Sequence, residues 1–201
     1  MYAFNFKMTA EKMFQEPSTL SFATRATTKL NDSTTVLVAA REGHAKAYPI
    51  RYIIYHHQVR DSIAGKPIMV TYCSVCRTGR IFDPNVNGQL ENFRLVGMDH
   101  FNAMFEDAST KSWWMQATGE AVVGPLKGNS LNELPSSQLT LSQYFQLYPF
   151  GKVMEPDKSF LTSYDTLGKY EWGNSKSKLT GTDSLSWNEK SWVVGIQYDG
   201  V

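Results

Sequence analysis

From residue 34 to residue 124 the chain is written as short runs of β-branched, aromatic and aliphatic residues, most of them closed by a turn signal. "TTVLVAA" meets Glu-Gly, "QVRDSI" meets "AGKP", "IMVTY" runs into a cysteine turn, and "GRIFD" is followed by "NVNG". "ENFRLVG", "NAMFED" and "SWWMQATGEAVVG" continue the series, the last two joined through "ASTK". Parallel neighbours need a crossover of about a dozen residues or more, and these connections are too short. Short strands joined by tight turns are antiparallel by geometry. The expected fold is therefore α+β and mostly antiparallel β, a curled meander or partly closed barrel with one or two packed helices.

The helices are expected at the margins of that series. Pro49 opens "PIRYIIYHH", where Ile50, Ile53 and Ile54 have helical spacing and proline is tolerated at the first position, although the Tyr and Ile content also suits a strand. "TLSQYFQLYP" predicts a second helix ending before Pro149, and a short one around residues 9–14 stops near Pro17. Residues 1–30 read as an N-terminal extension, 31–155 as the β-rich core, and 156–201 as a polar connection and a C-terminal strand. "TTVLVAAREGH" is echoed by "SWVVGIQYDGV" at residues 191–201, and the second copy stops at its turn. The chain is therefore expected to be a fragment of something longer. Its open hairpin end would be a strand edge suited to self-association.

Composition narrows the function classes. The net charge is +1, and no Lys/Arg block is interleaved with aromatics, so no nucleic-acid partner is expected. No apolar run is long enough to span a membrane, and the N-terminus lacks the charged and apolar regions of a signal peptide. There is no Gly-rich phosphate loop, nucleophile elbow or HExxH, so no nucleotide is expected. Five Trp and ten Tyr, each with a polar handle, suit a half-wet groove for a small-molecule ligand or substrate.

The chemistry concentrates at "VTYCSVCRTGRIFD", which holds both cysteines of the chain. In a turn, the two-residue spacing points the sulfurs of Cys73 and Cys76 to one side, close enough to bridge or to share a metal. A c-type haem would need His after the second cysteine, and Arg77 stands there, so no haem is expected. Two cysteines cannot make a four-thiolate site, so a metal would draw on imidazoles. His56 and His57 precede the turn by one hairpin, and Met98, Met104 and Met115 cluster beyond it. Thiolate, imidazole and thioether together suit copper, with zinc also possible through sulfur and nitrogen. Alternatively the cysteines alternate between thiols and disulfide, with Arg77 lowering a thiol pKa. In the plainest reading they are two buried side chains, and the methionines fill core gaps.

A second dense patch is "MDHFNAMFEDASTKSWWMQ". His100 and Asp107 are its candidates for proton handling, with Asp99 and Glu106 as further carboxylates. Trp114, Gln116 and Arg77 would line a substrate.

Five pieces in order, Ala-Tyr-Pro, His-x-x-Val-x-Asp, Thr-Tyr-Cys-x-x-Cys, Ser-x-Trp-x-Gln and Gly-x-x-x-Gly, resemble the prokaryotic family catalogued as domain of unknown function 3179. The resemblance runs from about residue 35 to the end of the chain. It falls on His56, Asp61, Tyr72, Cys73, Cys76, Thr78, Gly79, Trp114 and Gln116. The commoner family form has Pro-Leu between the cysteines and Gly after them, so Ser74, Val75 and Arg77 mark a distinct subgroup. The resemblance implies longer proteins with upstream membrane or signal segments, hence an extracytoplasmic or membrane-anchored setting in which a CxxC can be oxidised. It supplies a pattern of residues and no mechanism. Taken together the residues lead to a metal-binding protein or redox metalloenzyme using Cys73, Cys76, His56 and His57. The alternatives are a metal-free thiol–disulfide protein and a non-catalytic binding module with structural cysteines.

Overall fold

The computed structural model describes residues 9–100 and 102–171. The first hairpin joins β2 (Thr35–Arg41) to β3 (His44–Pro49) through Glu42 and Gly43, both at positive φ (52° and 77°). Two left-handed residues make the turn whose twist matches that of paired strands. On one side β14 (Ser136–Thr140) pairs with β2; on the other β15 (Lys152–Met154) lies parallel to β3 and pairs with β1 (Phe22–Ala23). The outer face of this five-stranded sheet is covered by α3 (Leu141–Leu147), which buries Leu141, Tyr144 and Phe145 against Val36, Val38, Ala47 and Val153. Thr140 caps that helix, its hydroxyl accepting the Gln143 N–H while the Gln143 side chain accepts the Thr140 N–H.

The chain leaves β3 at Pro49 and winds directly into α2 (Ile50–His56), buried along most of its length. His57 closes it in the left-handed region (φ 58°), which turns the backbone into the next strand. There β4 (Gln58–Ile63), β5 (Lys66–Cys73) and β6 (Thr78–Phe82) form an antiparallel meander, extended by β13 (Glu133–Leu134). A third sheet follows from β9 (Phe93–Asp99), β10 (Asn102–Asp107), β11 (Trp113–Met115) and β12 (Ala121–Val123). A small hairpin, β7 (Asn85–Val86) and β8 (Gln89–Leu90), sits between the two.

Strand β5 organises the stack. Its residues 68–73 are all buried. Ile68, Val70 and Tyr72 pack with Leu37, Tyr48, α2 and Tyr164, whereas Met69 and Cys73 pack with Phe93, Ala103, Phe105 and Trp114. The period of two along a strand thus feeds two separate cores, one shared with the first sheet and one with the third.

The expected α+β, mostly antiparallel fold is present; its sheets are open, and among the described residues none closes into a barrel. Two stretches differ from the sequence expectations, for physical reasons. The stretch expected as an extension is instead strapped across the molecule. Glu11 pairs with Arg94, the Gln15 carbonyl meets His56, Glu16 binds Arg60 and Gln58, and Asp157 accepts N–H groups from Ser18 and Thr19. The stretch expected as polar connection carries α4 (Leu161–Glu171), whose Tyr164 packs on α2. Ring stacking and a buried hydroxyl partner hold it there, features that a period count over so polar a segment does not reveal. With α1 (Ala10–Met13), this makes four α-helices among the described residues, most of them short. The echo at residues 191–201 lies outside the described residues.

The first and second sheets are joined by a charged contact. Lys46 Nζ lies 2.7 and 2.8 Å from the two Asp61 oxygens, and the Tyr48 hydroxyl donates to Asp61 at 2.7 Å. Lys46 also stands over the Phe22 ring, 4.5 Å from its centroid. Removing one member of such a low-exposure pair leaves the other unpaired, which costs more than the pair itself contributes. Asp61→Ala is expected to lower the unfolding free energy by about 3 kcal/mol, read by urea denaturation. A loss no larger than that of an exposed carboxylate, as in Glu120→Ala, would show that this contact is dispensable.

Candidate functional site

Both cysteines belong to the loop that turns β5 into β6. Cys73 is the last residue of β5 and pairs with Thr78, the first of β6; residues 74–77 between them make the turn. Arg77 completes it at φ 53°, a left-handed position for a side chain that glycine usually fills. The two thiols differ in setting: Cys73 faces the second core and is buried, whereas Cys76 is exposed. Their sulfurs are in hydrogen-bonding contact. That contact, with burial, pushes the Cys73 thiol far above its ordinary range, although backbone N–H groups of Cys76 and Ala103 act in the opposite sense.

Behind the turn lies a polar network placed by three elements. Asn102, at the head of β10, directs its side-chain amide to Cys76 Sγ at 3.5 Å and to Gln116 Oε1 at 3.4 Å. Its own carbonyl oxygen accepts the Ala117 N–H at 3.0 Å. Gln116, just after β11, donates to Thr71 Oγ1 (3.1 Å) and to the Thr78 carbonyl (3.0 Å), and Thr71 donates onward to the Arg80 carbonyl (2.9 Å). Thr71 shares the inward face of β5 with Met69 and Cys73, so it is the one polar side chain on that face and is paired across to the third sheet.

The residues singled out from sequence scatter between this site and the framework. Gln116 belongs to the network, and Arg77 belongs to the turn, where it donates to the Glu171 carbonyl at 3.2 Å. Trp114 is buried in the core, its ring edge-on to Phe93 and its indole N–H given to Asp107 at 2.8 Å. Asp107 is buried and saturated: Trp114, the Thr110 hydroxyl and the backbone N–H groups of Thr110, Lys111 and Ser112 all donate to it. Burial alone would raise its pKa, yet these donors hold it below the usual carboxylate range. Such a carboxylate organises the turn after β10 and has no lone pair left for proton transfer. His100 is almost fully exposed beside Asp99, in the turn that leads to Asn102.

His56 and His57 do not join the cysteines. The His56 Nδ1 must donate to the Gln15 carbonyl (2.5 Å), so in the neutral ring Nε2 accepts from the Tyr164 hydroxyl (2.7 Å). Both nitrogens are then engaged. Burial also pushes its pKa down, against the raising effect of the Gln15 carbonyl. His57 packs at a tilt against Phe14 with ring centroids 4.6 Å apart, and burial brings its pKa down to about 4. Among the described residues no group of three or more His, Cys, Asp or Glu side chains is placed to hold a metal ion. The expected clamp of two cysteines and two histidines is therefore not assembled: α2 carries His56 to Gln15 and Tyr164, and the residue that closes it, His57, packs on Phe14.

The model of the family described as "Protein of unknown function (DUF3179)" matches residues 15–201. The chain belongs to this family. No curated protein and no solved structure matches it. Among the described residues, no helix of this DUF3179 member is long and apolar enough to cross a membrane.

Asn102 and Thr71 escaped the sequence reading. Both lie in fully buried stretches, "NAMFED" and "IMVTYC"; for Thr71 a hydroxyl inside an otherwise apolar run was the available signal, whereas Asn102 shares its strand with Glu106 and Asp107 and had none. His57 supports a prediction of pH dependence. Its folded pKa is below the unfolded value near 6.5, so the stabilisation is full above about pH 6.5 and is lost as pH falls toward about 4. Chemical denaturation of the native chain should lose about 3 kcal/mol more across that window than His57→Asn, which tolerates the left-handed backbone. Parallel declines in the two proteins would count against a neutral buried His57.

Proposed function

We propose that this DUF3179 chain is a thiol–disulfide redox protein in which Cys76 is the entering thiol and Cys73 the resolving one. The observation that carries the reading is their asymmetry: one thiol open to solvent, the other buried behind it, with the sulfurs in contact. A pair separated by two residues across a tight turn meets the geometric demand of a disulfide. Contact with Cys76 and burial hold the proton on Cys73, and Cys76 is the sulfur that an incoming disulfide can reach.

The chemistry balances with a disulfide as co-reactant. The Cys76 thiolate attacks one sulfur of the substrate disulfide, forming a mixed disulfide and expelling the other sulfur as a thiolate that takes up a proton. Cys73 gives up its proton and attacks Cys76, closing the intramolecular bridge and releasing the second substrate sulfur as a thiol. The substrate disulfide gains two electrons and the cysteine pair loses them; the reverse direction oxidises a dithiol. An extracytoplasmic location would keep such a pair supplied with oxidant. Arg77, adjacent in the turn, supplies a positive charge for the incoming group.

A metal reading draws on the same atoms. Backbone N–H groups of Cys76 and Ala103 point at Cys73 sulfur, an arrangement that also suits a metal-bound thiolate. Two sulfurs satisfy Cu(I), a soft ion, while zinc would want two further ligands. One set of measurements separates the readings. In oxidised glutathione, Cys73→Ser is expected to trap a mixed disulfide on Cys76, Cys76→Ser to stay unmodified, and the native chain to lose both thiols as it bridges. Native protein that keeps both thiols across the whole range of glutathione buffers would sink the redox reading. Near-stoichiometric copper, lost in the doubly substituted chain, would transfer the site to the metal reading.

A further inference from the structure

We infer that Asn102 is the positioning residue that makes Cys76 the nucleophile of the pair, an inference that rests on the thiol–disulfide reading. Its support is the direction of the hydrogen bonds, each determined by the next. The Thr71 hydroxyl proton is committed to the Arg80 carbonyl, so Thr71 Oγ1 can only accept from Gln116. The Gln116 amino group faces that oxygen and the Thr78 carbonyl, so its own oxygen is turned toward Asn102. The Asn102 oxygen is occupied by the Ala117 N–H. What Asn102 presents to Cys76 is therefore N–H. Rotating the Asn102 amide by half a turn would set its amino group against the Ala117 N–H and its oxygen against Gln116 Oε1. Turning Gln116 as well would face oxygen to the Thr78 carbonyl oxygen. Neither alternative can be satisfied, which is how an amide orientation is decided.

A donor that cannot become an acceptor discriminates between the states of the sulfur it faces. A thiolate is a far better acceptor than a thiol or a disulfide sulfur, so a buried, immobile N–H favours the ionised and reduced state of Cys76. Three properties follow from one contact. Cys76 ionises at lower pH than it would without Asn102. It departs more readily when Cys73 or a substrate thiol displaces it. The pair is also a stronger oxidant than an otherwise identical one lacking the amide.

The test measures Cys76 itself. Its alkylation by iodoacetamide is followed by peptide mass from pH 5 to 10, roughly the span that brackets ordinary and lowered thiol pKa values. The native chain, Asn102→Ala and Asn102→Asp are compared, with thermal unfolding of each recorded. Asn102→Asp is nearly isosteric and still accepts the Ala117 N–H, but presents an anion to the sulfur. The midpoint is expected to rise by about one pH unit in Asn102→Ala, a tenfold change, and further in Asn102→Asp. The reduction potential against glutathione should fall by about 30 mV for each tenfold change in the exchange constant. A lowered unfolding temperature with an unchanged midpoint and potential would assign Asn102 a structural role and overturn the inference. If neither variant folds, the native protein decides through its NMR spectrum. The Asn102 side-chain N–H resonances should then shift with the Cys76 alkylation midpoint, and pH-invariant resonances would overturn it. Failure of the redox reading looks different: the pair would not bridge in glutathione, whatever the midpoint.

Discussion

A strand buried on both faces is the constraint from which the rest of this molecule is built. β5 gives Ile68, Val70 and Tyr72 to one core and Met69 and Cys73 to the other. A slip of one residue would exchange the two sets and turn Cys73 toward α2, so pairing must be strict. Register is held from both sides, by β4 over Gln58–Ile63 and by β6 over Thr78–Phe82. Outside the ladder, the Lys46–Asp61–Tyr48 contact ties β4 to the first sheet and removes freedom to slide. The thiols inherit their difference from this register. The last inward position of β5 buries Cys73, and the turn beyond it lifts Cys76 into solvent.

A double-sided sheet also creates a polar problem, and its solution is the site. Thr71 occupies an inward position between Met69 and Cys73, where an unpaired hydroxyl would be costly. It is satisfied by Gln116 from the third sheet, whose remaining valence is met by Asn102, whose remaining donor reaches Cys76. The chain of obligations ends at the exposed sulfur of the cysteine pair. Asp107 solves a comparable problem a strand's length away by collecting donors around itself, and so is closed to chemistry. Buried polar residues thus differ in where their last hydrogen bond ends, within the framework for Asp107 and at the exposed Cys76 sulfur for Asn102.

The histidines show why residue type and order were insufficient. His56 and His57 stand one hairpin before the cysteines, and proximity in sequence suggested a shared metal. Helix α2 intervenes, and its inward face delivers His56 to Gln15 and Tyr164. Those partners come from residues 15 and 164, the two stretches that looked like an extension and a connection. Their importance was hidden because each contributes a few long-range contacts and no periodic pattern.

Short strands, their turns, the helix starting after Pro49 and the capped helix at Leu141 were determined by local chemistry: alternation, left-handed turn residues and caps act within a few residues of one another. So was the closeness of Cys73 and Cys76, a property of spacing in a turn. The tertiary structure alone decided which sulfur is buried, which amide faces the other, and that the imidazoles are spent on Gln15, Tyr164 and Phe14. Those outcomes depend on which strands stack on which faces, a matter of contacts between residues far apart in the chain, for which a single sequence carries no local signal.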